Sequence, residues 1–325
     1  MEARTIKLVT HNYDVLTPML SGDVVPNGID LELDRSSSIG VFRTDESYQA
    51  GEMSFSGYLR GLDSGDSSVI GLPIFIMRAF RQRCFFVKRG SDLGAIGDLA
   101  GKRIGTNGWP DSGNTWSRSL LRAEGIDIGG IDWFVGPIDG VTDQAFGHQF
   151  SNAGFPENVQ PVPEGQSLVG MLLDGDLDAM MVPWPPRGFY EADAPVVRLI
   201  PDYRSIEEEY ARQVGFCPGH HVIGLHTSVV EEDPSVVQSL FAAFEASRKL
   251  TEERRLVLAD TSPWLLADLE RTNEILGPDW QISGVEPNRA MIDRFCEELH
   301  AQGIVKRRFQ PDEAFAEFLR LMPGA

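Results

Sequence analysis

Cysteine and long hydrophobic runs are scarce in this chain. Its 325 residues include three cysteines, Cys84, Cys217 and Cys296, which are widely spaced and form no CxxC pair. Neither a disulfide framework nor a thiolate zinc site is therefore indicated, and a reducing compartment is expected. The longest nearly apolar run, Val69 to Met77, is far shorter than the ~20 residues that span a bilayer. The sequence thus predicts no membrane partner.

Positive charge is also in short supply. Against 48 acidic residues stand 29 Lys and Arg residues, which gives a net charge of −19. This charge repels phosphate backbones, so nucleic acid is not an expected partner. A site for a small anion would need local Arg side chains or helix N-termini. The first ten residues, MEARTIKLVT, lack the basic and long apolar segments of a secretory signal, and a cytoplasmic location is expected.

Several motifs that mark enzyme classes are missing. There is no GxSxG, no Rossmann glycine pattern and no GK[ST] phosphate loop, so hydrolase, dehydrogenase and nucleotide-binding interpretations have no local support. The histidines show no HExxH or similar spacing, and no metal is predicted. They lie at His11, His148, His220, His221, His226 and His300.

The length of the chain favours two lobes with separate cores. Apolar runs and capping signals alternate as in α/β proteins. Strands are predicted at 6–10, 68–76, 85–88, 131–135 and 177–182, and helices at 111–125 and 166–173. The Gly-, Pro- and Asn-rich stretch 136–164 is predicted to be a loop that forms a wall of a ligand cleft. One helix is predicted to begin at Asp233 and Pro234, and two more are predicted at 287–302 and 311–321. The C-terminal third is therefore predicted to be mostly helical.

A few residues have the chemistry of a ligand site. The turn 106–115, TNGWPDSGNT, leads into a helix whose first N–H groups suit a carboxylate, although an ordinary capped turn gives the same pattern. Arg78 and Arg81 could bind carboxylates through their guanidinium groups, or could form surface or internal ion pairs. Trp109 and Trp184 could stack on an aromatic ring, or pack in the core.

Several longer stretches form an ordered set of motifs along the chain. They include NYD at 12–14, GEMSFSGY at 51–58, GLPIFIMRAFR at 71–81, DLAGKRIG at 98–105, GQSLVGMLLDGDLDA at 165–179 and GFCPGHHV at 215–222. Single motifs such as DLxGKR are common among solute-binding proteins, whereas the ordered set is specific. Taken in order, these motifs resemble those of the 4,5-dihydroxyphthalate decarboxylase family over nearly the whole length of the chain.

The resemblance implies an α/β fold with the two-lobed architecture of type II periplasmic binding proteins and a ligand cleft between the lobes. Lobe 1 would comprise residues 1–92 and 205–325, and lobe 2 residues 93–204. The implied activity is the decarboxylation of a small anionic aromatic, phthalate-like acid without a cofactor. A homo-oligomer is left open.

The resemblance also implies roles for particular residues. His221 would be the catalytic acid or base, and Arg78 and Arg81 would clamp a carboxylate. Other residues are predicted to bind the substrate, namely Asn12, Ser54, Ser56, Tyr58, Trp109, Ser112, Asn114, Thr115, Trp184 and Arg187.

Departures from the family pattern fall on the presumed ligand side. Gly108, Trp109 and Pro110 stand where an acidic residue, an aromatic residue and Gln are typical, and only the aromatic residue is kept. The exact substrate is therefore open. Two alternatives remain at this point: a solute-binding protein without catalysis, and a different cytoplasmic enzyme on the same scaffold.

Overall fold

Two compact units make up the chain. In the computed structural model, which describes residues 4–35, 39–140 and 155–322, one unit is Met1–Ala79 with Ala211–Ala325 and the other is Phe80–Tyr210. The sequence placed the boundaries at 92/93 and 204/205 instead. The structure assigns residues 80–92 to the second unit because the strand Phe85–Lys88 pairs there with Ala179–Met181 and Val196–Arg198.

The first unit is built on a five-stranded sheet. Its strands are β1 (Arg4–Val9), β2 (Ile29–Asp34), β3 (Ala50–Ser54), β4 (Val69–Arg78) and β11 (Gly219–His226), in the spatial order β2-β1-β3-β11-β4. Strand β1 is parallel to β2 and β3, whereas β11 is antiparallel to β3 and β4. Because β3 lies between β1 and β11, side chains that end β1 and begin β11 can both reach it.

Helices from both halves of the chain belong to this unit. They are α1 (Thr17–Leu20), α2 (Phe55–Asp63), α6 (Thr227–Glu232), α7 (Ser235–Val257), α8 (Leu265–Leu276), α9 (Arg289–Ala301), α10 (Pro311–Ala314) and α11 (Ala316–Leu321). Helix α7 begins directly after Asp233 and Pro234, as the sequence predicted. Pro favours this place because its fixed φ suits a helix start and its missing N–H would have no helical partner.

An aromatic cluster forms the core beside β4. The ring of Phe55 stacks on Phe295 with 4.8 Å between centroids and meets Phe75 edge-on at 5.2 Å. Phe315 packs on Phe55 from α10–α11 with a centroid distance of 5.7 Å. Such ring pairs add to the area that the large side chains bury. The cluster ties α2, β4 and α9 together and so fixes the ends of β3 and β4.

The second unit contains a six-stranded sheet. Its strands are β5 (Phe85–Lys88), β6 (Arg103–Thr106), β7 (Asp132–Val135), β8 (Val159–Pro161), β9 (Ala179–Met181) and β10 (Val196–Arg198), in the order β10-β5-β9-β6-β7-β8. Strand β6 is parallel to β7 and β9, and β5 is antiparallel to β9. Helices α3 (Ser112–Ala123) and α4 (Leu168–Asp174) lie in this unit, and α5 (Tyr203–Val214) crosses its boundary.

The predicted loop 136–164 is only partly a loop. Residues 141–154, which include His148, lie outside the described part of the chain. Within the remainder, Val159–Pro161 forms β8 and pairs in parallel with β7. The strand was missed because a three-residue strand that includes a proline carries little apolar periodicity.

Within the described ranges, no helix is both long and apolar enough to cross a membrane.

We predict that Gly71→Ala destabilises the first unit. A methyl group at this position would lie 2.6 to 2.9 Å from three atoms of the Tyr58 ring, which is itself 5% exposed. Overpacking of this kind costs about 1–3 kcal/mol. Urea unfolding of the variant should show a loss in that range. Gly94→Ala, where a Cβ meets nothing within 4 Å, is the matched control, and equal losses in both variants would contradict the packing argument.

Candidate active site

A buried carboxylate lies at the centre of the first unit. Glu52, in the middle strand β3, is 1% exposed. Burying an ionised carboxylate is costly unless hydrogen-bond donors replace the lost water. Hydrogen-bond donors are therefore expected around Glu52.

Five donors from the described residues surround this carboxylate. Oε2 accepts hydrogen bonds from Thr10 Oγ1, from the His11 main-chain N–H and from His11 Nδ1, all at 2.9 Å. Oε1 accepts from the Tyr13 hydroxyl at 2.6 Å and from His221 Nδ1 at 2.5 Å. We refer to Thr10, His11, Tyr13, Glu52 and His221 as the Glu52 centre.

Strand register explains why these residues meet. Val9, the last residue of β1, pairs with Gly51, so the chain that continues through Thr10 and His11 passes beside Glu52. On the other side of β3, Ile223 of β11 pairs with Glu52 and His221 with Ser54. Side chains two residues apart on a strand share one face, which places His221 near the carboxylate.

Electrostatics keep Glu52 ionised. Burial raises its pKa, but hydrogen bonds from His11, His221 and Tyr13 together with the charge of His221 outweigh burial, so the pKa lies well below the ordinary value. The hydrogen bond to Glu52 in turn raises the pKa of His11. Burial, followed by the charge of Glu52, raises the pKa of Tyr13, which therefore stays a neutral phenol.

The ionised carboxylate fixes the imidazole tautomers. A carboxylate can only accept hydrogen bonds, so the Nδ1 atoms of His11 and His221 both carry hydrogen and donate. In a neutral ring of this tautomer, Nε2 is the basic nitrogen, and in an imidazolium it carries the exchangeable proton. The side chain of His221 is 15% exposed and that of His11 is 44% exposed. The centre thus presents two oriented imidazoles that can give or take a proton.

A hydrogen-bonded turn lies in the other unit, at the start of α3. Asp111 caps this helix by accepting from the Asn114 main-chain N–H at 2.9 Å. The Asn114 side chain donates to the Asp111 carboxylate at 2.7 Å and to the Gly108 carbonyl at 2.8 Å, and the Thr115 hydroxyl donates to the Asp111 carbonyl. Asn114 and Thr115 therefore hold the turn in shape.

Arg81 packs against the first turn of α3. It is 4% exposed, and its Nε donates to Ser117 Oγ at 3.1 Å. A Cβ at Gly113 would lie 2.9 Å from its Nη2, which shows how closely the guanidinium approaches the helix. Nη2 is buried and has no hydrogen-bond partner within the described residues. A guanidinium with a spare donor beside a helix N-terminus is suited to bind a carboxylate.

The structure gives several predicted site residues other partners. Arg78 donates to Asn288 Oδ1 at 2.7 Å and to the carbonyls of Cys217 and Ile282 at 3.4 Å, so its guanidinium ties the segment before α9 to β4. The Tyr58 hydroxyl donates to the Ala314 carbonyl at 2.8 Å. Both side chains are thus engaged within the first unit, and their roles toward a ligand stay predictions.

The remaining predicted residues are distributed over both units. Ser54 caps α2, and Ser56 is fully buried in the same helix. Asn12 is exposed and accepts from Arg35 at 3.0 Å. In the second unit Ser112 is buried at the start of α3, Trp184 is 43% exposed, and the exposed Arg187 donates its main-chain N–H to Asp139.

Trp109 is buried rather than open. It is 4% exposed, the Arg118 guanidinium lies 4.0 Å from its ring centroid, and Trp133 meets it at 5.4 Å. Stacking on a substrate ring, the role predicted for Trp109, is not tested by these contacts. Its contacts with Arg118 and Trp133 hold the turn before α3 in place.

Glu52, His11, Thr10 and Tyr13 were not predicted as site residues. A signal was present, because Glu52 is a carboxylate in a short strand of otherwise apolar or small residues. Within the described residues, no three His, Cys, Asp or Glu side chains are placed to hold a metal ion together. The absence of a metal stays a prediction.

Comparisons with known proteins identify the family. No protein-family model matches the chain. It is 30% identical over 328 residues to a 4,5-dihydroxyphthalate decarboxylase of Comamonas testosteroni, with 97% of each chain covered. The chain belongs to the 4,5-dihydroxyphthalate decarboxylase family. A second member, from Pseudomonas putida, is 26% identical over 66% of this chain and 84% of its own length.

A solved structure confirms the predicted fold class. The periplasmic aliphatic sulphonate binding protein SsuA from Escherichia coli matches with a TM-score of 0.53 and 12% identity, covering 96% of this chain and 91% of that protein. At this identity the likeness concerns the fold alone. The two-lobed α/β architecture of periplasmic binding proteins is therefore confirmed for this member of the decarboxylase family.

We predict that Glu52→Gln lowers the free energy of unfolding by about 3 kcal/mol near pH 6, because one imidazole would then face an amide N–H. The effect should depend on pH. The depressed pKa of Glu52 stabilises the fold above its ordinary value of 4.5 and loses effect as pH falls below it. The raised pKa of His11 stabilises the fold below 6.5 and loses effect as pH rises through its folded value.

Urea unfolding at a series of pH values tests this expectation. The difference between wild type and variant should be largest between the two ordinary pKa values and should shrink on either side. Glu32→Gln, at an exposed position on β2, is the control and should change little. A difference that does not vary with pH would contradict the charge assignment.

Proposed function

We propose that this protein is a carboxy-lyase that releases CO₂ from a hydroxylated, phthalate-like aromatic acid without a cofactor. The observation that carries this proposal is the Glu52 centre, in which Glu52 Oε1 lies 2.5 Å from His221 Nδ1 and orients the His221 imidazole. The chain that holds this centre is a member of the decarboxylase family. An oriented imidazole is the group that proton transfer to carbon requires.

The reaction needs one proton delivered to one carbon. In the proposed mechanism the His221 imidazolium gives its Nε2 proton to the ring carbon that bears the carboxylate. The bond between that carbon and the carboxylate carbon then breaks, and its electron pair restores the aromatic ring as CO₂ leaves. The ring keeps the proton, and neutral His221 takes another from solvent. Glu52 stabilises the imidazolium before transfer and keeps Nε2 directed away from itself.

Arg81 is proposed to bind a carboxylate of the substrate. Its buried Nη2 has a donor to offer, and the first turn of α3 adds the positive end of a helix dipole. A local cation of this kind is needed because the protein carries a net charge of −19. Arg78 also has a buried nitrogen, Nε, without a hydrogen-bond partner among the described residues, but it is the weaker candidate because its Nη1 and Nη2 donate to three oxygen atoms there. That one ligand meets both units is implied by the family resemblance and stays a prediction.

Two alternatives are less well supported. A solute-binding protein without catalysis shares the fold, but the sulphonate-binding relative is only 12% identical, whereas the decarboxylase is 30% identical over 97% of the chain. A different enzyme on the same fold has no relative of comparable identity to support it here, whereas the decarboxylase reaction has one. The proposal therefore keeps the decarboxylase reaction and leaves the ring substituents to experiment.

We expect the purified protein, assayed with a chelator present, to release CO₂ from 4,5-dihydroxyphthalate or a related hydroxylated aromatic acid. His221→Asn should lower kcat by about 100-fold or more, because Asn can still donate to Glu52 but has no titrating Nε2. His300→Gln, at an exposed position in the last turn of α9, is the control. Full activity of His221→Asn would reject the acid role, and binding without turnover by the wild type would reject the enzyme.

Arg81→Lys tests the carboxylate clamp. A lysine keeps the charge but loses the forked donors, so KM should rise by about 10-fold or more while kcat changes little. Gly113→Ala should raise KM as well, because its Cβ would displace the guanidinium. Gly97→Ala, where a Cβ meets nothing within 4 Å, is the control. An unchanged KM in both test variants would remove Arg81 from the site.

A further inference from the structure

The Glu52 centre holds two imidazoles, and the reaction described above uses one. His11 Nδ1 donates to Oε2 of the carboxylate while His221 Nδ1 donates to Oε1. The two rings are thus neighbours that share one anion. The His11 main-chain N–H binds the same Oε2, which anchors the backbone as well as the ring.

The other donors of this centre keep their protons at neutral pH. Thr10 donates an aliphatic hydroxyl, and Tyr13 a phenol whose pKa is raised by burial and by Glu52. The centroid of the Tyr13 ring lies 6.0 Å from that of the His11 ring. Among the donors to Glu52 in the described part of the chain, only the two histidines can therefore exchange a proton with a ligand.

The single negative charge of Glu52 limits how many protons the His11 and His221 rings can hold together. One carboxylate neutralises one imidazolium, and a second proton on the pair would be opposed by repulsion between like charges. The pair can therefore hold one protonated and one neutral ring beside a single carboxylate. A proton donor and a proton acceptor side by side form the pair that acid and base chemistry on a single substrate requires.

Decarboxylation of a hydroxylated ring is favoured by a group that accepts the proton of a ring hydroxyl. In 4,5-dihydroxyphthalate each carboxylate has a hydroxyl directly across the ring. Removing the proton of that hydroxyl pushes electron density onto the carbon that must be protonated. As CO₂ leaves, the electron pair returns to the same oxygen, which then needs a proton or a cation beside it.

We infer that His11 is a second catalytic residue, which exchanges a proton with the ring hydroxyl opposite the leaving carboxylate while His221 supplies the proton to the ring carbon. This inference rests on the proposed function.

The proton balance closes without another reactant. Neutral His11 accepts the hydroxyl proton at Nε2 as the ring carbon takes the proton of His221, which gives a ring ketone. When the bond to the carboxylate breaks, the ketone oxygen becomes a phenolate and takes its proton back from His11. His11 ends unchanged, and the net reaction consumes the one proton delivered by His221.

His11→Asn is the variant that separates this role from a purely structural one. The Asn side-chain N–H can replace Nδ1 as a donor to Glu52, but nothing replaces Nε2. His11→Gln serves as the second variant, and thermal unfolding of both checks that they fold. The 44% exposure of the His11 side chain makes a folded product the expected result.

The decisive measurement uses substrates whose hydroxyl differs in acidity. Wild type, His11→Asn, His221→Asn and the control His300→Gln are assayed for CO₂ release. The substrates are 4,5-dihydroxyphthalate and derivatives with a fluoro or nitro group next to the hydroxyl. Each rate is expressed as the ratio of wild type to variant for the same substrate, which cancels the intrinsic effect of the substituent.

We expect His11→Asn to be about 100-fold slower than wild type on the parent compound, with the deficit shrinking below about 5-fold on the nitro derivative, whose hydroxyl ionises in solution. The deficit of His221→Asn should stay constant along the series. A His11→Asn deficit that is absent, or equal for every substrate, would overturn the role of His11 while leaving the decarboxylase intact. Absence of CO₂ release by the wild type from every compound would overturn both.

Discussion

The burial of one ionised carboxylate constrains much of the first unit. Glu52 can remain charged in the interior only if donors reach both of its oxygen atoms, and those donors come from the segment directly after β1 and from β11. A one-residue slip of either strand would direct His11 or His221 to the opposite face and leave the carboxylate unpaired. The sheet order β1-β3-β11 and the chemistry of the centre therefore depend on the same register.

The same constraint explains what could be predicted from the sequence and what could not. Local patterns located β5 at 85–88 and the start of α7 after Pro234, because apolar runs and capping residues act over a few positions. His221 was predicted through its motif. Glu52 was not, because its role depends on partners as far as 169 residues away in the chain. No local pattern records that a carboxylate will be met there by two imidazoles.

The roles of the arginines could not be read from the sequence for a related reason. Arg78 and Arg81 are three residues apart, and both resembled a carboxylate clamp. In the structure Arg78 ends β4 and donates through Nη1 and Nη2 to Asn288 and two carbonyl groups, whereas Arg81 packs on α3 and donates through Nε to Ser117. Among the described residues, each guanidinium keeps one buried nitrogen without a hydrogen-bond partner, Nε in Arg78 and Nη2 in Arg81. The boundary between the compact units, after Ala79, falls between them. The path of the chain, and not residue type, thus decides in which unit each guanidinium packs.

Differences in substrate within this family need not come from direct contact. The departures from the family pattern that the sequence indicates include Gly108, Trp109 and Pro110, yet Trp109 is buried against Arg118 and Trp133. Arg118 also donates to the Trp109 carbonyl at 2.8 Å, so the turn is held by the helix that follows it. A changed residue in this turn would move the first N–H groups of α3 and the guanidinium of Arg81 that packs on Gly113. Because a charge-assisted hydrogen bond weakens steeply with distance and angle, such a shift would alter which anion fits the proposed carboxylate site without any new side chain touching it. Specificity in this chain would then be set by the shape of the helix start, while the proton chemistry is set separately by the Glu52 centre.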